Sequence, residues 1–207
     1  MKKYIFIIIA QVLFVVSCRN NATQEPVAQQ ERSILVYSYE GFSTQDADYL
    51  VGELKKVYPS VIAEGEVLRL PPGCYLKSMN RYGAQGLLDD LSLLKEGNVV
   101  LGLTDRVIFH PNELSPTYGI LGLSYTGGGV SVLSSTKPSS GKKHSRDHLK
   151  KLMLHELGHA FGLSHCKNQH CFMVDAEHRN KFSQTPSFCD SCKNALNKKG
   201  WTIKHSL

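Results

Sequence analysis

The sequence has no long run of basic residues, although Lys and Arg outnumber Asp and Glu by 24 to 18 and give a formal net charge of +6. The positive residues are scattered along the chain, and none of them stands in a run interleaved with aromatic residues. A nucleic-acid-binding protein usually carries such a basic patch or stripe. We therefore expect no nucleic-acid partner, and at most some attraction to an anionic membrane surface.

The sequence also has no apolar segment of membrane-spanning length. Its longest apolar stretch, from Tyr4 to Val16, is too short to cross a bilayer comfortably. It follows Lys2-Lys3 and ends at the small residue Ser17, which is typical of a secretory signal peptide over residues 1–18. The tetrapeptide VVSC, which ends at Cys18, resembles a bacterial lipobox. A plain signal peptide with a coincidental cysteine is the alternative.

The lipobox reading predicts an exported bacterial lipoprotein. Cys18 would become the lipidated first residue and anchor the protein to a membrane, with the rest of the chain in the periplasm or at the cell surface. Residues 19–32 show no hydrophobic periodicity and are predicted to be a flexible tether. Residues 33–207 have enough apolar content for one domain with its own core. We find no internal repeat, and the oligomeric state cannot be inferred from the sequence.

The order of apolar patterns predicts an α/β (mixed α+β) fold. Three strand-like segments alternate with two amphipathic helical patterns, an order that favours a largely parallel sheet with helices packed on it. Two further short strands flank a glycine turn and are expected near the sheet edge. A third helix, predicted to begin near Ser145, is apolar nearly all round. The predicted strands are 34–39, 61–70, 99–104, 119–125 and 130–134.

The segment from His155 to His165 reads HELGHAFGLSH and lies on that third helix and just beyond it. His155 and His159 are four residues apart, so both imidazoles lie on one face of a helix and can bind one Zn²⁺. Gly162 permits a sharp exit from the helix, which lets His165 return as a third ligand. This extended form is the zinc signature of metzincin peptidases. It predicts a catalytic zinc site with one position open for water, and Glu156 as the general base.

Four cysteines follow the third histidine in two close pairs. Cys166 and Cys171 are separated by four residues, and Cys189 and Cys192 by two. This spacing favours a closed structural zinc site with four thiolate ligands. In an oxidising compartment the same residues can instead form two disulfides, so both readings stay open. Cys74 is left over and is interpreted as a small buried apolar residue.

The combined histidine and cysteine pattern resembles the archaemetzincins. The likeness rests on residues 155–173, on Cys166 directly after the third histidine, on the order Cys171-Phe172-Met173, and on the pair Cys189 and Cys192. The segment VVLGLTDRVIF at residues 99–109 also resembles the strand and loop before the family's cleft-edge strand. The resemblance covers roughly residues 34–196.

This resemblance implies a metzincin-like zincin fold, with a mixed twisted sheet, an active-site helix and a zinc-stapled C-terminal subdomain. It implies two zinc ions per chain, a catalytic one and a structural one. Met173 would be the Met-turn residue, whose side chain forms an apolar floor beneath the catalytic metal. The set of implied ligands is His155, His159 and His165 for the catalytic zinc and Cys166, Cys171, Cys189 and Cys192 for the structural zinc.

The predicted function is therefore zinc-dependent hydrolysis of peptide bonds, with a peptide or protein as substrate. An extended peptide is expected to add to an edge strand located between Gly119 and Ser134. The alternative from another class is a non-catalytic lipoprotein that binds zinc or peptide and retains only the metal site. Glu156 argues against this alternative, because zinc binding needs only the three histidines.

Overall fold

The computed structural model describes residues 32–113, 115–175 and 186–204. The predicted signal peptide with Cys18, and nearly all of the predicted tether, lie outside the described residues. Within the described part of the chain, no helix is long and apolar enough to cross a membrane.

The described residues form nine strands in two sheets. In chain order the strands are β1 Ile34–Tyr39, β2 Val61–Leu68, β3 Tyr75–Leu76, β4 Arg81–Gly83, β5 Val99–Thr104, β6 Ile108–Phe109, β7 Gly119–Ile120, β8 Gly122–Tyr125 and β9 Val130–Ser134. The larger sheet has the order β2-β1-β5-β9-β8, and the smaller sheet has the order β3-β4-β6-β7. In the larger sheet β8 is antiparallel to β9, while the other pairs are parallel. The prediction of a largely parallel sheet is confirmed, and β8 lies at one edge.

Four α-helices accompany the strands in the described residues. They are α1 Thr44–Lys55, α2 Ala84–Ser92, α3 Arg146–Ala160 and α4 Asp190–Asn197. The first three correspond to the three predicted helices, and α3 begins after Ser145 as expected. The sequence interpretation did not include α4.

The larger sheet separates two apolar clusters. Side chains alternate along each strand, so Leu101 of β5 packs into the cluster with α1 and α3, while Val100 packs into the cluster with α2. Every residue of β5 is buried, because both faces of this strand are covered. The uninterrupted apolar run VVLGLT is therefore the expected sequence for this central position.

The smaller sheet is a difference from the sequence prediction. Its strands β3, β6 and β7 have only two residues each, and β4 has three. Segments of this length are too short to show an alternating pattern, so periodicity could not identify them. The structure also divides the predicted strand 119–125 into β7 and β8, with Leu121 between them.

Candidate metal centre and active site

Helix α3 has a well-defined start. The Ser145 side chain accepts a hydrogen bond from the main-chain N–H of His148 at 3.3 Å, and Asp147 places a negative charge in the first turn. The His148 ring stacks on the ring of His144 with 4.0 Å between centroids. His148 is therefore a residue of the first helical turn.

The end of α3 determines where the third histidine lies. Gly162 has a φ of +91°, a left-handed conformation that glycine adopts without strain. Its N–H donates to the carbonyl of His159 at 2.7 Å, and the N–H of Leu163 donates to the carbonyl of Gly158 at 2.9 Å. These bonds end the helix in the manner of a glycine cap. The chain reverses here and brings His165 back to the helix.

The three histidines of the predicted catalytic site lie together. One ring nitrogen from each of His155, His159 and His165 falls within 4.8 Å of the others. The Nε2 atoms of His155 and His159 are 3.2 Å apart. Two imidazole nitrogens on a tetrahedral zinc ion lie about 3.3 Å apart, given a Zn–N distance of about 2.0–2.1 Å. The spacing of these donor atoms fits zinc.

The Nδ1 atoms of His155 and His159 are engaged in hydrogen bonds. Nδ1 of His155 is 2.6 Å from the carbonyl oxygen of Phe172, and Nδ1 of His159 is 2.7 Å from the carbonyl oxygen of Leu163. Each Nδ1–H therefore donates to a carbonyl, which leaves Nε2 with a lone pair for a metal. Burial lowers the pKa of His155 to about 4, so this ring is neutral at physiological pH, as a ligand must be.

The third ring is in a different environment. The side chain of His165 is 48% exposed, and its Nδ1 lies 3.5 Å from a carboxylate oxygen of Asp175. This side of the group is therefore accessible to solvent, whereas His155 is buried. A zinc site with three protein ligands and one accessible position is typical of catalytic zinc.

Glu156 lies directly beside the histidines and is only 6% exposed. The Ser124 hydroxyl lies 2.7 Å from Oε2 of Glu156 and donates to this carboxylate. Burial raises the pKa of the Glu156 carboxyl, and the hydrogen bond from Ser124 partly opposes that increase. The group is thus a carboxylate of increased basicity beside a metal-binding group.

Strand β8 approaches this carboxylate closely at a second residue. A Cβ atom on Gly122 would lie 2.5 Å from Oε1 of Glu156 and 2.6 Å from Cδ. Only glycine leaves this space for the carboxylate. The sequence interpretation missed both Gly122 and Ser124, because nothing in their local pattern distinguishes them from other residues of a strand.

Met173 packs against α3 at Gly158, and not at Glu156, where β8 packs. It is fully buried, and its sulfur packs against Gly158, between the two helical histidines in sequence. The neighbouring Phe172 provides the carbonyl that receives the hydrogen bond from His155. The segment that contains Met173 thus lies beside the histidine group.

The four predicted cysteine ligands also form one group. The sulfur atoms of Cys166, Cys171, Cys189 and Cys192 all lie within 4.8 Å of one another, and none of them is in a disulfide. The sulfurs of Cys166 and Cys189, one from each sequence pair, are 3.8 Å apart. A zinc ion with four thiolates has sulfurs about 3.8 Å apart, given a Zn–S distance of about 2.3 Å. The spacing therefore fits zinc here as well.

The backbone around the cysteines favours negatively charged sulfur. The N–H groups of Met173 and Cys189 point at the sulfur of Cys171, at 3.4 and 3.3 Å. Burial nevertheless raises the pKa of Cys171 and of Cys192, so these thiols need a cation nearby to ionise. A zinc ion would supply that charge, so four clustered thiols, of which Cys171 and Cys192 are buried, suit a bound metal. Cys74, which is half-buried against α2, lies outside this group.

Comparison with known proteins places this arrangement in a family. The model of peptidase family M54 matches residues 69–198, which is more than half of the chain. The chain belongs to peptidase family M54. Membership in M54 makes the protein a zinc-dependent metallopeptidase, and the predicted archaemetzincin resemblance is confirmed.

Relatives within M54 cover most of the described fold. An archaemetzincin from Haloquadratum walsbyi is 28% identical over 161 residues, which are 69% of this chain and 87% of that protein. An archaemetzincin from Methanopyrus kandleri is 33% identical over 130 residues, 62% of this chain and 73% of that protein. The crystal structure of the Methanopyrus kandleri archaemetzincin superposes with a TM-score of 0.66 at 25% identity, over 84% of this chain and 98% of that chain. The predicted mixed α/β metzincin-like fold is confirmed.

Proposed function

We propose that this M54 peptidase hydrolyses peptide bonds with a zinc ion held by His155, His159 and His165 and with Glu156 as the general base. The position of Glu156 carries the proposal. Its carboxylate is buried next to the three ligands, and Ser124 fixes one of its oxygens. Burying an ionisable group is costly, and metal binding by three imidazoles does not require one. A role in proton transfer accounts for its presence.

A zinc ion held by His155, His159 and His165 would supply a Lewis acid that polarises a peptide carbonyl and lowers the pKa of a water molecule toward about 7. Glu156 takes the proton of the attacking water and delivers it to the amine of the departing product. The raised pKa of its carboxyl brings its basicity closer to neutral pH, where proton transfer in both directions is efficient. The carbonyls of Phe172 and Leu163 keep the two helical imidazoles oriented throughout.

The substrate would bind as an extended chain along β8. The N–H of Ser134 donates to the carbonyl of Leu121 at 2.8 Å, which sets the hydrogen-bonding register between β8 and β9. In this register the main-chain N–H and C=O groups of Leu123 and Tyr125 point toward β9, while those of Gly122 and Ser124 point toward the open edge of the sheet. A peptide can pair with these groups directly above Glu156.

The cysteine group would hold a second, structural zinc ion. Its four sulfurs converge from both sequence pairs, and two backbone N–H groups point at Cys171. Zinc at this position would connect the chain after His165 to the start of α4. Met173 would serve as the apolar floor of the catalytic site, in accord with its burial against α3.

We further propose that the protein is an exported bacterial lipoprotein with three parts: a signal peptide over residues 1–18, a tether over 19–32 and the peptidase domain over 33–207. This proposal rests on the residue pattern that ends at Cys18. Replacing Cys18 by Ala should move the protein from the detergent phase to the aqueous phase in a phase-partitioning assay, while Cys74→Ala leaves it unchanged. Equal partitioning of all three forms would contradict the lipid anchor.

The catalytic proposal is tested with Glu156→Gln, an uncharged residue of nearly the same shape. Peptide hydrolysis should fall by roughly a thousandfold or more, while elemental analysis finds the same zinc content, near two ions per chain. Glu66→Gln, at an exposed position of β2 on the far edge of the sheet, is the control and should have no effect. Wild-type hydrolysis by Glu156→Gln would rule out this base, and one zinc ion per chain would remove the structural site.

A further inference from the structure

Two residues of β8 hold the Glu156 side chain between them. Gly122 and Ser124 are two residues apart in the strand, so both face α3. Each of them contacts a different oxygen of the carboxylate. Gly122 leaves the space that Oε1 occupies, and Ser124 donates to Oε2. The position of the carboxylate is therefore defined by the strand as well as by the helix that carries it.

The Ser124 hydroxyl has more than one partner. Besides Oε2 of Glu156 at 2.7 Å, its oxygen lies 2.9 Å from the main-chain carbonyl oxygen of Glu156 and 2.9 Å from the hydroxyl of Ser131. The Ser131 hydroxyl in turn lies 3.2 Å from the same carbonyl oxygen. This group of bonds joins β8, β9 and α3 at the residue that carries the carboxylate.

A hydroxyl with these partners restrains the Glu156 side chain. It donates to Oε2 of the carboxylate, while its contacts with the main-chain carbonyl of Glu156 and with the Ser131 hydroxyl keep the hydroxyl itself in place.

The same two residues lie at the open edge of the sheet. Their main-chain groups point away from β9, as the register of β8 shows, so a paired peptide would contact the strand at the residues that hold the carboxylate. One strand would thus set the distance between a paired peptide and Glu156.

We propose that Ser124 is a positioning residue for peptide hydrolysis, acting through the Glu156 carboxylate, and that Gly122 is required to leave space for that carboxylate. This inference rests on the proposed function, because it takes Glu156 to be the base. Its chemistry is limited to orientation: Ser124 holds the carboxylate by a hydrogen bond, and no proton leaves through the serine.

The test compares variants of the full chain in steady-state peptide hydrolysis. Ser124→Ala should lower kcat by about tenfold to a hundredfold and change KM by less than about twofold, because the variant disturbs proton transfer and leaves main-chain pairing intact. Ser124→Thr keeps the hydroxyl and should recover kcat to within about threefold of wild type. Gly122→Ala should lower kcat by about a hundredfold or more, because Glu156 must rotate away from the new methyl group.

Two matched variants separate positioning from a structural effect. Ser131→Ala removes a contact to the main chain of Glu156 but leaves the bond from Ser124 to the carboxylate, so it should reduce kcat less than Ser124→Ala. Gly52→Ala adds the same methyl group in α1, where nothing lies within 4 Å, and should have no effect. Crystal structures of Ser124→Ala and Gly122→Ala should show unchanged folds with the Glu156 carboxylate displaced.

The inference is overturned if Ser131→Ala lowers kcat as much as Ser124→Ala, if Ser124→Thr fails to recover, or if the carboxylate stays in place in both crystal structures. A double-mutant cycle adds a further check. Glu156→Asp shortens the side chain by one methylene beyond reach of Ser124, so adding Ser124→Ala to it should change kcat by less than about twofold. If Glu156→Gln is inactive while Ser124→Ala equals wild type, this inference fails and the proposed function stands. Wild-type activity of Glu156→Gln would instead remove the proposed function.

Discussion

The histidine group and the cysteine group meet at the bond between His165 and Cys166, yet they differ in exposure and surroundings. The histidine group combines a buried side chain, His155, with one that is 48% exposed, His165, and it has a buried carboxylate beside it. The cysteine group has four sulfurs, and Cys171 and Cys192 are buried. A zinc site with three protein ligands and a solvent-accessible position can bind a substrate, whereas a zinc site with four protein ligands can only connect chain segments.

The comparison also shows how the same stretch of chain serves both groups. Phe172 accepts the hydrogen bond of His155, Met173 packs under α3, and Cys171 belongs to the sulfur group. The main-chain N–H of Cys166 donates a hydrogen bond to the carbonyl of Met173 at 2.7 Å. A zinc ion on the cysteines would consequently hold in place the residues that orient the catalytic histidines.

The largest expected effect separates the two groups by activity. His159→Ala should lower peptide hydrolysis by roughly a thousandfold or more and release one zinc ion per chain, because two imidazoles no longer complete the site. The cysteine zinc should remain, so the melting temperature should change by only a few degrees. Elemental analysis, peptide assays and calorimetry measure the three quantities. The control is His170→Ala. His170 is exposed, lies between Cys166 and Cys171 in the sequence, and belongs to neither group.

If His159→Ala released both zinc ions, the two groups would be one cooperative site, and the comparison between them would be wrong. Loss of activity without loss of zinc would point to a role for His159 other than metal binding.

The next effect is on stability. Cys171→Ser should release the cysteine zinc and lower the free energy of unfolding by several kcal/mol, since a structural zinc contributes directly to folding. Urea unfolding followed by circular dichroism measures the change. Cys74→Ser replaces a half-buried thiol outside the group and should lower stability much less. Equal destabilisation by both changes would mean that the cysteine group contributes only as buried side chains.

A smaller difference is expected in the rate of metal loss. A chelator such as dipicolinate should remove the histidine-bound zinc at least about ten times faster than the cysteine-bound zinc, because one side of the histidine group is open. Zinc release followed with a colorimetric indicator should show two phases, and hydrolysis should disappear with the first. A single phase, or loss of activity with the second phase only, would contradict the assignment of the open site to catalysis.

The smallest effect concerns the two histidines at the start of α3, which sharpen the comparison because they belong to neither group. Burial is the largest cause that lowers the pKa of His144 and of His148 to about 4, and Lys137 lowers both further. The mutual repulsion of the two rings contributes for His144, whereas Lys151 lowers and Asp147 raises the pKa of His148.

Unfolded histidine binds its proton near pH 6.5, so the unfolded state takes up protons first on acidification. The free energy of unfolding should therefore fall as the pH is lowered from about 6.5 to about 4, and the contribution of this pair should level off below. Replacing both residues by Gln should make the pH dependence shallower by a modest amount. Urea unfolding of wild type and the double variant across this range gives the difference. Parallel curves would mean that the pair does not titrate differently on folding.

Much of the fold was predictable because its signals are local. Strand β5 is a run of buried apolar residues, α1 begins at a serine cap, and α3 combines a cap with an apolar surface, so their positions follow from short sequence windows. The smaller sheet was not predictable, because its strands are held by pairing partners far along the chain, such as Tyr82 with Ile108. Helix α4 depends in the same way on the core into which Leu196 packs.

The candidate site likewise has features that local sequence patterns predict and features that they do not predict. The grouping of the three histidines and of the four cysteines was predictable, because helical spacing and cysteine pairs are short-range patterns. Ser124, Ser131 and Gly122 were not, because they lie 25 to 34 positions before Glu156 in the sequence and reach it only across the interface between strand and helix. A serine in a strand has the same local pattern whether or not it contacts a carboxylate.

The sequence by itself determined which residues can act as ligands and base, because donor type and helical periodicity are properties of a few neighbouring residues. It also determined the family, through a composite motif. Tertiary structure decided that the four cysteines form one group instead of two separate pairs, that His165 is accessible while His155 is buried, and that β8 lies at the sheet edge against Glu156. The reason is physical: burial, distance and hydrogen-bond register are set by contacts between segments far apart in the chain, and no local pattern contains them.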